Sequence, residues 1–157
     1  MPFDHTVLKE HFGDIWPVHV DGFTELLITL RRQFRGDLDL VLVLAIIGSR
    51  TLPSRRTRGM SYQDFADGTR RDPRPNPINL QSVAECSGIP RETVRRKVRE
   101  LQMLGWVDRR QGGVLVVTPK AAQDLAPATE ATFRYLIAVG SACVSAAKRA
   151  QQDERRP

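Results

Sequence analysis

Residues 78–101 read INLQSVAECSGIPRETVRRKVREL, and their order of caps, small residues and breaks decides the fold. Ile78 and Val83 bracket Asn79 as a hydrophobic staple around an N-cap, which predicts a short helix from Leu80 to Ser87. Gly88 ends that helix, and Ile89 and Pro90 lead directly into the next. Ala84 leaves room for close approach of two helices, Gly88 permits the tight turn, and Val94 locks the second helix onto the first.

The spacing of Ala84, Gly88 and Val94 is that of a helix-turn-helix. The second helix is predicted over residues 91–104. Its basic residues are Arg91, Arg95, Arg96, Lys97 and Arg99, yet Val94, Val98 and Leu101 stay uncharged. At about 100° per residue those three fall within a narrow arc, whereas Glu92, Arg95, Arg96 and Arg99 project from the opposite side. One face is core and the other is free to meet a ligand. The chain continues GWVDRRQGGVLVVTP. This predicts a strand from Trp106 to Arg109, a turn around Gly112 and Gly113, and a return strand from Val114 to Thr118. Arg109 and Arg110 stand at the hairpin tip.

Residues 78–118 as a whole resemble the winged helix-turn-helix domain of bacterial transcriptional regulators. Helix 37–48 as a first helix, with further helices at both ends, more loosely resembles the layout of MarR-like dimers. The resemblance implies a mainly α fold: a winged helix-turn-helix, with a three-helix core and a β-hairpin wing, carrying extra N- and C-terminal helices. It implies that the second helix enters the DNA major groove and the wing rests on the backbone or in the minor groove. On matching positions the groove-facing set becomes Arg91, Glu92, Thr93, Arg95, Arg96 and Arg99, with Arg109 and Arg110 as wing contacts. Arg95 or Arg96 would pair with guanine, Arg99 with phosphate, and Glu92 would accept from cytosine or orient an arginine. It also implies a small-molecule effector of unknown identity, held between the dimer helices and the winged domain, with Phe12, Trp16 or Phe23 lining the pocket.

The flanks divide the chain into three expected parts. Residues 1–36 form an N-terminal helical dimerisation segment, in which DGFTELLITLRRQFR at 21–35 places apolar residues at three- and four-residue steps behind Asp21. Residues 37–118 form the DNA-binding domain, whose first helix carries LVLVLAII and ends at Gly48. Within it residues 49–77 are an Arg/Pro-rich insertion with seven arginines and four prolines, where only SYQDFA suggests a helical turn. Arg55, Arg56 and Arg58 are further candidates for DNA backbone contact. Residues 119–157 form a C-terminal dimerisation segment. Thr118 caps a helix with Pro119 at its first position, and a long helix is expected over 129–150 with a kink at Pro127. The apolar stripes of helices 21–35 and 129–150 lie outside the winged domain, so they are expected to pair in a homodimer.

The whole composition agrees with a polyanion partner. Of 24 basic residues 20 are arginine, net charge is +6 and the pI is about 10.0; arginine is the better bidentate partner for phosphate and guanine. The longest apolar run, Leu40–Ile47, is far too short to span a bilayer, and the N-terminus carries no signal-peptide core. With only Cys86 and Cys143, in no metal or redox spacing and each expected to be packed, the chain reads as cytoplasmic. His5, His11 and His19 match no standard metal pattern, and no nucleophile elbow, P-loop, dinucleotide turn or HExxH occurs. Neither catalysis, nor a cofactor, nor a metal is therefore expected. Phe12, Trp16 and Phe23 are expected to anchor the N-terminal segment over the body. The leading expectation is a sequence-specific regulator on double-stranded DNA; the alternative is a winged-helix adaptor for protein or RNA.

Overall fold

The computed structural model describes residues 4–52, 57–68 and 76–153. They are mainly helical, with one two-stranded antiparallel sheet. In chain order the elements are α1 His5–Glu10, α2 Phe12–Gln33, α3 Leu38–Thr51, α4 Tyr62–Asp67, α5 Leu80–Ser87, α6 Arg91–Met103, β1 Val107–Arg109, β2 Leu115–Val117, α7 Pro119–Asp124 and α8 Ala126–Asp153. Two compact units emerge: residues 34–126, and residues 1–33 together with 127–157.

In the central unit α3, α5 and α6 pack on one another, with the hairpin against α3 and α6. The apolar run 40–47 is helical, because Asp37 caps the first turn by accepting from the Leu40 amide at 2.9 Å. Val43, Ile47, Val83, Val94, Leu101 and Leu115 are completely buried at the centre; each contributes about 1.5–3 kcal/mol by leaving water. Contrary to the expectation that α3 stops at Gly48, it runs to Thr51. The Ser49 and Thr51 hydroxyls bond back to the carbonyls of Ile46 and Ile47, so polar side chains continue the helix. Thr51 Oγ1 also accepts from the Val117 amide at 2.9 Å, tying the end of α3 to β2.

The hairpin registers Val107 with Val117 and Arg109 with Leu115. Gly112 and Gly113, at φ +75 and +77, make its turn. Residues 119–124 pack in the central unit rather than with the C-terminal segment: α7 is capped by Thr118, and Asp124 accepts from Trp106 Nε1 at 2.8 Å. Within the expected insertion the helical turn at SYQDFA is α4, closed by a reciprocal capping box between Ser61 and Asp64. Residues 53–56 and 69–75 of that insertion lie outside the described residues.

In the other unit α2 begins at Phe12 instead of Asp21. Phe12, Trp16, His19 and Phe23 stack in succession along one face, with centroids 5.1 to 5.6 Å apart, so the helical period starts well before Asp21. These rings do not anchor a buried lid: Phe12, Trp16 and Phe23 are each more than 40% exposed. α8 begins at Ala126 and includes Pro127 in its first turn, where a missing N–H leaves no bond unmade. A small core joins Val7 and Ile15 to Ala146 and Ala150, with Cys143 against it. Cys86, by contrast, is exposed and not packed, since it lies off the arc by which α5 buries Leu80 and Val83.

Candidate nucleic-acid interface

The geometry of α6 begins in the turn before it. Asn79 Oδ1 accepts from the Ser82 amide at 3.0 Å and starts α5. Gly88, at φ +70, donates its amide to the Ala84 carbonyl at 2.9 Å and closes α5 in a left-handed cap. Ser87 Oγ accepts from the Ile89 amide at 3.1 Å, fixing the short link. Pro90 then opens α6 without any side-chain cap, and Glu92 lies in the first turn, where the helix dipole favours an acid.

α6 buries Val94, Lys97, Val98 and Leu101. Lys97 is the unforeseen member of that stripe. It is 6% exposed, and its ammonium donates to both carboxylate oxygens of Asp37 at 2.8 and 2.7 Å, with Asp39 at 3.9 Å. Asp37 thus caps α3 and holds α6 at once. Partial burial works to raise the Asp37 pKa, but the Lys97 hydrogen bond and charge and the Leu40 amide outweigh it and hold the carboxyl below its ordinary value. The stripe was visible in the sequence as the i, i+3, i+4, i+7 series 94, 97, 98, 101, and a lysine completing it announces a buried partner.

On the other side Arg91, Glu92, Arg95, Arg96 and Arg99 are exposed and Thr93 is half-buried. Glu92 and Arg95 form an ion pair one turn apart, in which Arg95 donates through Nε at 3.0 Å and through Nη2. The Arg95 hydrogen bond pulls the Glu92 pKa down, with Arg99 and Arg91 adding charge, and Glu92 in turn raises that of Arg95. No hydrogen bond or salt bridge to a described residue holds Arg91, Arg96 or Arg99. Arg109, at the end of β1, and Arg110, in the turn, are both exposed. Arg58 is exposed, whereas Arg55 and Arg56 lie outside the described residues.

Two open clefts flank this face. One, of about 520 Å³, is lined by Leu80, Arg91, Glu92 and Arg95. The other, of about 480 Å³, is lined by Arg35, Arg96, Arg99, Glu100, Met103 and Leu104. Met103 is 82% exposed there. The arrangement is chemically suited to polyanions: guanidinium groups on the exposed side of a helix that is packed along its other side, beside two open clefts.

Among the described residues no three His, Cys, Asp or Glu side chains are grouped to hold a metal ion. Nor is any described helix long and apolar enough to cross a membrane. Compared with family models, with curated proteins and with solved structures, the chain shows no match.

Proposed function

We propose that this chain is a sequence-specific DNA-binding transcriptional regulator, a winged helix that presents α6 to the major groove and its hairpin to the backbone. One observation carries the reading. α6 is pinned along 94, 97, 98 and 101 while Arg96 and Arg99 are exposed and form no ion pair among the described residues. A charged face on a fixed rod serves readout of a polyanion, whereas a merely solvating face needs no such clamp.

Homodimerisation belongs to the same proposal. In α8 Phe133, Leu136, Ile137 and Val144 recur at helical spacing and are 36, 56, 68 and 54% exposed. An apolar stripe of that kind is the usual mark of an unfilled partner surface. A dimer would set two copies of α6 on a pseudopalindrome.

Fluorescence anisotropy on a random duplex at low salt, followed by selection of bound genomic fragments, tests the reading. With about six phosphates neutralised per dimer, log affinity falls with log salt at a slope of roughly −5. Arg96→Ala should lose about 10- to 100-fold on the selected site and much less on random duplex. Equal losses on both remove Arg96 from base recognition. Met103, so exposed on this face, is the one observation favouring a protein-binding adaptor; absence of any duplex binding at low salt would select that reading.

A further inference from the structure

The turn between Phe34 and Asp37 puts an arginine where the backbone favours glycine. Arg35 has φ +53 and is the one described residue other than glycine with a positive φ; Gly36 beside it has φ +90. A side chain in that region is strained, and such outliers are retained where the side chain has work to do. The turn has no freedom to relax. Phe34 is 3% exposed and meets Trp106 edge-on at 5.4 Å, Asp37 is gripped by Lys97, and the Asp37 amide donates to the Phe34 carbonyl at 2.9 Å.

This turn delivers Arg35 to the wall of the cleft of about 480 Å³ that Arg96 and Arg99 also line. Three arginines and a single acid, Glu100, line it, and no ion pair among the described residues involves any of the three arginines. Met103 and Leu104 add apolar surface. Arginine is the side chain best suited to the oxygens of a phosphate, while an exposed methionine tolerates the sugar beside it. Arg35 stands off α6 on a separate turn, at the flank of its exposed face, which suits backbone contact and not the reading of base edges.

We propose that Arg35 and Arg99, on the side of the cleft away from the base-reading end of α6, form a phosphate site that receives one backbone phosphate of duplex DNA from each half-site, with Arg96 left to the bases. The proposal rests on the DNA-binding reading and adds Arg35, from the turn before α3, to the interface.

Three proteins decide it: wild type, Arg35→Gly and Arg35→Lys, each titrated with a random duplex over a salt series. Arg35→Gly should bind several-fold more weakly at low salt, with the slope reduced by about one per protomer. Arg35→Lys should keep the wild-type slope. Because glycine accepts the positive φ, Arg35→Gly should also melt at or above the wild-type temperature, so weaker binding is not a folding defect. Unchanged affinity and slope in Arg35→Gly, with wild type binding, overturns the phosphate site and leaves the regulator reading standing. Failure of wild type to bind any duplex overturns both. Inorganic phosphate at matched ionic strength should not displace the duplex from wild type; displacement that Arg35→Gly abolishes would assign the cleft to a free phosphate compound and overturn the duplex assignment.

Discussion

The two compact units distribute their apolar residues in opposite ways. In residues 34–126 the large aliphatics Leu40, Ile47, Leu101 and Leu115 are fully buried, and charge is kept to the surface except for the paired Lys97. In the unit formed by 1–33 and 127–157, half of the buried cluster is alanine, at Ala146 and Ala150, while Trp16, Phe23, Leu136, Ile137 and Val144 are 42 to 68% exposed. Exposed apolar side chains are thus weighted toward the unit of 1–33 and 127–157, although Leu38, Leu42, Tyr62 and Met103 are exposed in the central one. Aromatic and branched side chains exposed in stripes mark a surface built to be covered, and alanines inside mark helices that approach closely.

The sharpest break in this contrast is Leu101→Ala. Leu101 is 0% exposed, and its truncation should cost about 3 kcal/mol in chemical denaturation. A loss below about 1 kcal/mol would mean that the central core is loosely packed and the contrast is false.

Next comes Asp37→Asn, which removes the charge that Lys97 needs and weakens the cap of α3. Asp37 is about one-third exposed, so the loss should be about 1–2 kcal/mol, less than for a fully buried pair. Its pH dependence has a definite sign. The folded pKa lies below the ordinary 3.8, so the unfolded chain takes up the proton more readily. The contribution is complete above that ordinary value and is lost as pH falls through the folded pKa. Acid unfolding should therefore be shallower in Asp37→Asn; identical acid limbs in the two proteins would deny the clamp.

Smallest in stability should be Ile137→Asp. At 68% exposure, its substitution should move the unfolding free energy of the dilute chain by no more than about 0.5 kcal/mol. Sedimentation equilibrium should nevertheless shift toward single-chain mass relative to wild type. A wild type that is already a single chain at high concentration would show that the exposed stripes are not covered by a second copy.

Short-range physics was readable in the sequence and long-range partnership was not. Asn79, Gly88 and Thr118 act within three or four residues, so their capping roles follow from order alone, as does the burial of Val94, Val98 and Leu101. Asp37 was placed at the start of the first helix, but its hold on Lys97 spans 60 positions and leaves no local pattern beyond a lysine on an apolar stripe. The onset of α2 was misjudged at Asp21 because capping residues also occur inside helices, and the ring ladder from Phe12 to Phe23 outweighs them. Arg35 resembled one more cation at a helix end; its left-handed backbone is a property of the turn and not of the residue type. The cationic face of α6 was legible throughout, whereas the cleft beside it required the turn at 34–37 to be seen in three dimensions.

The backbone bond from the Asn76 amide to the Arg50 carbonyl, 3.1 Å long, brings both ends of residues 51–75 to one point. Thr51 and Ile78 make the clasp firmer by accepting from β2, at the Val117 and Leu115 amides. The junction of α3 with β2 is thereby closed by bonds that involve only Arg50, Thr51, Asn76, Ile78, Leu115 and Val117, so a change of sequence beyond these residues leaves its donors and acceptors in place.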